Sequence, residues 1–163
     1  MRIFEETQRF DQWWLYLIIL LAQGTILLGM YQATLGFQDW SDPWGLLGGT
    51  ITIALLSLLL LVRLKTRIDN SGISAKFGEK FFRRKFKWSE IKDCYVRKYS
   101  PLTEYGGWGI RGVGRSKAYS TSGNYGIQIV TTTGTRFLIG TQKPEIAKET
   151  LKYYRVNLNL QKI

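Results

Sequence analysis

The sequence predicts a membrane α-helical hairpin joined to a mainly β barrel or sandwich that one C-terminal helix caps. Three observations predict it: two long uncharged runs in the first 62 residues, alternation of apolar and polar residues from Arg63 onward, and a change to helical period near Pro144. With 163 residues, the chain has room for one ordinary domain beside the hairpin.

No residue is charged from Trp13 to Tyr31 or from Trp44 to Val62. As helices, runs of this length reach roughly 28 Å, close to the hydrocarbon thickness of a bilayer. The expected layout is an N-terminal segment over 1–12, transmembrane helices over 13–31 and 44–62, an outer loop over 32–43, and a β domain over 63–163. Trp13, Trp14 and Tyr16 at one boundary, and Tyr31, Phe37, Trp40 and Trp44 at the other, suit headgroup depth. A cleaved signal peptide is disfavoured, because Glu5, Glu6 and Asp11 accompany Arg2 and Arg9 ahead of the first run. The 32–43 connection holds Asp39 and Asp42 but no Lys or Arg, whereas Arg2 and Arg9 precede the first run and Arg63, Lys65 and Arg67 follow the second. That asymmetry predicts a multi-pass protein of the cell membrane, integral to the lipid bilayer, with both termini cytoplasmic. Gln23 falls at the depth of Thr50 and Thr52, where an amide-to-hydroxyl bond between helices is expected. Gly45 and Gly49 form a GxxxG pair, read as close packing within the hairpin, with homodimerisation as the sharper alternative.

After Val62, Leu64, Thr66 and Ile68 alternate with Lys65, Arg67 and Asp69. Asn70-Ser71-Gly72 breaks the run, and Ile73, Ala75 and Phe77 resume it, which is a β-hairpin pattern. In the next strand Phe82, Phe86 and Trp88 take one parity and Arg83, Lys85 and Lys87 the other, with Arg84 out of phase as at a bulge or a strand end. Ile91 to Tyr99 continues as a strand. Tyr125 to Val130 and Arg136 to Ile139, separated by Thr133-Gly134, form a closing hairpin, so at least six strands are expected. Ile146, Ala147, Thr150, Leu151, Tyr154 and Leu158 then share one stripe of a helix over about 144–160.

These strand and turn patterns, in particular TRIDNSGIS, KWSEI, YGGWGIR and GIQIVTTTGTRFLIGTQKPE, resemble bacterial PH-like domain membrane proteins, with a transmembrane hairpin ahead of a small β-barrel and a C-terminal helix. The resemblance covers about Arg63 to Leu160. It implies a scaffold that binds lipids or proteins, and it supplies no catalytic residue.

The side chains point away from catalysis. There is no histidine, which excludes every triad or metal site that needs imidazole, and the one cysteine, Cys94, shares strand parity with Val96 as a buried apolar residue would. Gly107 to Gly112 matches GxGxxG by letter but lacks the preceding parallel strand and following helix of a nucleotide site. The carboxylates from Asp69 to Glu149 show no paired spacing for acid/base work. No enzyme activity, cofactor or metal is expected.

Charge carries more information. Residues 63–163 hold 21 Lys and Arg against 7 Asp and Glu, a net +14. Arg63, Lys65, Arg67, Lys80, Arg83, Lys85 and Lys87 are therefore candidate contacts to anionic lipid headgroups, against the plainer reading of a solvated strand face. Nucleic acid is not expected, because the aromatics take core parities rather than forming a stacking platform. Tyr105, Trp108 and Arg111 form a candidate partner loop: Trp108 either fills the core of a glycine-lined strand or is displayed beside Arg111 as an anchor. The functional expectation is a membrane-anchored, non-enzymatic binding or scaffold module at the cytoplasmic face that contacts anionic lipid or a protein partner. The alternative is an accessory subunit of a membrane transport or secretion complex, docked through its hairpin.

Overall fold

A computed structural model describes residues 3–10, 12–35, 43–78 and 82–157. In chain order the elements are β1 (Phe4–Arg9), α1 (Trp13–Thr34), α2 (Pro43–Leu61), β2 (Arg63–Asp69), β3 (Gly72–Phe77), β4 (Phe82–Lys87), a 3-10 turn (Trp88–Glu90), β5 (Ile91–Lys98), α3 (Pro101–Tyr105), β6 (Gly109–Val113), β7 (Ser116–Ser120), β8 (Tyr125–Thr131), β9 (Arg136–Gly140) and α4 (Pro144–Asn157). They fall into two units. Residues 10–61 form a helical hairpin, and residues 1–9 join 62–163 in the β unit.

In the hairpin unit, α1 and α2 carry exposed large apolar side chains, among them Trp13, Leu20, Leu27, Leu55 and Leu61. A Cβ on Gly49 would meet Ile26 Cδ1 at 2.8 Å, so this glycine lets the two helices approach closely. Thr50 and Thr52 donate to Leu47 and Gly48 carbonyls of their own helix, at 2.9 and 2.8 Å, rather than bridging to Gln23. Among the described residues no helix is long and apolar enough to cross a membrane. This finding corrects the reading of 13–31 and 44–62 as transmembrane helices, and with it the membrane hairpin as part of the fold class, the integral contact with a bilayer, and the multi-pass location. Absence of charge is a weaker condition than apolarity. Spanning takes about 20 consecutive predominantly apolar residues, and the apolar runs here are interrupted by Gln23, Gly24 and Thr25 in α1 and by Gly48, Gly49, Thr50 and Thr52 in α2. Most of the expected outer loop, 36–42, lies outside the described residues.

The β unit is built from two sheets. One has the antiparallel order β1-β2-β3-β4, and the other the order β5-β8-β9-β7-β6. The alternation read from Arg63 onward sets the first sheet's inner face: Leu64, Ile68, Ile73, Ala75 and Phe77 are buried. Gly72 closes the β2–β3 turn at φ 138°, where a Cβ would collide with the Phe86 carbonyl oxygen at 2.0 Å. No bulge surrounds Arg84. The β3–β4 register is continuous, and Arg84 is exposed because β4 is the edge of its sheet. In the second sheet, β7 and β9 pair in parallel while every other pair is antiparallel.

Aromatic side chains join the two sheets. Phe137 packs against Phe86 at 5.1 Å and Tyr119 at 4.8 Å between ring centroids, and Phe77 meets Tyr119 at 5.8 Å. The helix α4 buries Ala147, Thr150, Leu151 and Tyr154, while Ile146 of the expected stripe is exposed. Tyr154 stacks on Trp88, and its hydroxyl donates to Asn70 Oδ1. The Trp88 indole donates to the Asp69 carbonyl.

The strand β1 occupies part of what the sequence reads as an N-terminal segment, 1–12. It pairs with β2 from Phe4–Ile68 to Arg9–Arg63 and turns Phe4, Glu6 and Gln8 inward. Gln8 donates to the Gly140 carbonyl and accepts from Thr121. Glu6 accepts from the Thr141 hydroxyl and the Gln142 amide. Buried polar groups are tolerated when bonded in this way, and these bonds tie the first strand to segments more than 110 residues later.

Candidate functional site

The first sheet's outer face gathers the basic residues. Register places Arg9 beside Arg63, Lys65 beside Lys76, Lys76 beside Arg83, and Ser74 between Arg67 and Lys85. Strand parity alone leaves open whether like charges on separate strands converge. Four antiparallel strands in unbroken register bring Arg63, Lys65, Arg67, Arg83, Lys85 and Lys87 onto one face, with Arg9 and Lys76 added. All six of those candidates are exposed. Lys80 lies outside the described residues.

Carboxylates sit at one margin of this face. Arg67 is bonded to both Glu5 and Asp69. Its guanidinium pKa is raised, first by the hydrogen bond to Asp69 and then by the charge of Glu5. The Asp69 carboxyl is held down to about 2, chiefly by the Ser71 hydroxyl bonded to it at 2.6 Å, with help from Arg67 and the Ser71 amide. A carboxyl whose folded pKa lies below its ordinary 3.8 stabilises the fold above that value and loses the contribution as pH falls toward 2. The denaturation midpoint is therefore expected to fall between pH 4 and pH 2 by more in the native chain than in Asp69→Asn. Equal falls would show that Asp69 contributes nothing to the acid limb.

In the candidate partner loop, Arg111 is bonded to Trp108, whereas Tyr105 packs against Tyr99. Tyr105 ends α3 and packs edge-on to Tyr99 at 6.1 Å. Trp108 is half-buried, and its indole donates to the Gly123 carbonyl at 2.9 Å, while Arg111 Nε donates back to the Trp108 carbonyl at 3.0 Å. Trp108 is thus half-buried rather than a core residue, and its indole is tied to the β7–β8 connection. The glycines of the GxGxxG match serve a hairpin. At Gly112, φ is 100° and a Cβ would meet the Ser116 carbonyl oxygen at 2.1 Å, which allows the close approach of β6 and β7.

Cys94 is buried, and its thiol is pushed up to about 11 by that burial, away from thiolate chemistry. Its neighbour Asp93 is bonded to Arg155 of α4. Among the described residues no group of histidine, cysteine or carboxylate side chains could hold a metal ion.

No family model matches the chain, and neither a curated protein nor a solved structure matches it.

Proposed function

We propose that the β unit is a non-enzymatic, PH-like binding module that engages anionic lipid headgroups through the outer face of its four-stranded sheet. The observation that supports this reading most is the cross-strand register that places Arg63, Lys65, Arg83, Lys85 and Lys87 on one exposed face, with acidic side chains at the β1 and β2–β3 margin. A broad face with many cations and, among the described residues, no aromatic platform suits a surface carrying many negative charges better than a single small ligand. The β unit also carries the excess charge of the chain. Adding residues 1–9 to 63–163 brings Arg2 and Arg9 against Glu5 and Glu6 and leaves the net +14 unchanged.

The test compares the native chain with Arg83/Lys85/Lys87→Glu on phosphatidylserine-containing and on phosphatidylcholine vesicles. The readout is the difference between the two vesicle types, in which any contribution of the hairpin cancels. Each cation near the headgroups is worth about 1 kcal/mol, so losing three should weaken the anion-dependent part by on the order of a hundredfold at low salt. That part should also fade as salt rises. An unchanged difference would remove the sheet face from the binding surface. Equal retention of the native chain by soluble polyglutamate would point to an acidic protein partner instead.

A further inference from the structure

The five-stranded sheet has an outer face of its own, on the opposite side of the β unit from the basic sheet. The helix α3 lies over it, burying Tyr99, Ala118 and Leu138, with Tyr105 packed against them. Beside this cluster is a cleft of about 480 Å³ lined by Tyr95, Arg97, Glu104, Tyr105, Ser116, Gln128 and Arg136. That volume lies within the range of small-molecule sites.

Three of the seven lining side chains, Arg97, Glu104 and Gln128, are already committed to one another and to the backbone. Arg97 donates to both oxygens of Glu104, at 3.2 and 2.6 Å, and its Nε donates to Gln128 Oε1 at 3.0 Å. Glu104 also accepts the Ser100 amide at 2.9 Å, so the pair fixes α3 against β5 and is internally neutral. Gln128, only 3% exposed, spends its amide on the Ile129 and Phe137 carbonyls and forms a saturated floor. Arg136 is different. Its guanidinium has no ion-pair partner among the described residues, and Asp93, which shares its side of the sheet, is taken by Arg155. The parallel β7–β9 register sets Ser116 directly beside Arg136, about 5 Å away between backbones. A guanidinium and a hydroxyl thus stand side by side at the rim, and Tyr95 and Tyr105 supply the aromatic part of the lining.

We infer that this cleft is a binding site for a small aromatic monocarboxylate, with the carboxylate on Arg136 and Ser116 and the ring against Tyr95 and Tyr105. One unpaired cation beside a neutral Arg97–Glu104 pair matches a single negative charge. Guanidinium geometry suits a carboxylate's two oxygens. Tyrosine side chains offer a flat apolar surface with a polar tip.

The test titrates the full chain with benzoate, and in parallel with its neutral isostere benzamide, following backbone amide resonances. Benzoate should shift the signals of Tyr95, Ser116, Gln128 and Arg136 saturably, and benzamide should not. Arg136→Gln, a change at an exposed side chain, should weaken benzoate at least tenfold with an unchanged melting transition, and Arg136→Lys should retain part of the binding. Should Arg136→Gln disturb the fold, Ser116→Ala provides the same comparison with a smaller expected loss. Equal binding of benzamide, benzoate shifts that are the same in Arg136→Gln, or the absence of saturable shifts would each overturn the assignment.

Discussion

Residues 63–163 expressed alone are expected to be largely unfolded, whereas a chain in which residues 1–9 run into residue 63 through a two-residue Asn-Gly turn is expected to melt cooperatively. Arg9 and Arg63 are register partners, so their Cα atoms are about 5 Å apart, a gap that a tight hairpin turn closes. Without β1, the buried ring of Phe4 is gone and β2 becomes an unpaired edge. Thr121, Gly140, Thr141 and Gln142 also lose the partners that Glu6 and Gln8 provide. An absent core phenylalanine costs roughly 3–5 kcal/mol, and each hydrogen bond lost to a buried polar group up to about 1–3 kcal/mol more. Together these are comparable to the roughly 5–15 kcal/mol that holds an ordinary domain folded. Circular dichroism melting of the two chains provides the measurement. Matching transitions would show that β1 is an appendage rather than part of the core.

The second large effect is expected at Phe137→Ala, with a loss of roughly 3–5 kcal/mol in chemical denaturation. Phe137 is 2% exposed, and its ring meets Phe86 of the first sheet and Tyr119 of the second, so truncation opens a cavity where the sheets join. Val113→Ala is the control. That side chain is 91% exposed beside the β6–β7 turn, and its loss should change stability by less than about 0.5 kcal/mol. A Phe137→Ala midpoint within the spread of the control would mean that the sheets are held together elsewhere.

Some of this architecture was legible in the residues. The alternation around Asn70-Ser71-Gly72 marks β2 and β3 because a half-buried strand repeats every second residue, and Gly72 carries the backbone geometry the turn requires. The parity of Arg83, Lys85 and Lys87 places them on one side of β4 for the same reason. The period change at Pro144 marks α4 because proline suits a first helical turn. The strand β1 was not legible. Its inward residues after Phe4 are Glu6 and Gln8, which read as a solvated segment until their partners near residues 121 and 141 are known. The uncharged runs misled in the opposite direction, since a run without charge can still be interrupted by amide, hydroxyl and glycine positions.

Local pattern is therefore what the sequence by itself determined: which residues alternate, where turns and helix starts fall, that every Lys and Arg lies outside the helical hairpin, and that no imidazole chemistry is available. Pairing is what the tertiary structure decided. Register across four strands turned scattered cations into one face, and the parallel β7–β9 contact brought Ser116 beside Arg136. The bonds of Asp93 to Arg155 and of Glu104 to Arg97 determined which cations are left without a carboxylate. The physical reason is that side-chain periodicity is a property of neighbouring residues and is written locally. A strand's partner, by contrast, is set by which distant segments bury the same face together and satisfy each other's polar groups.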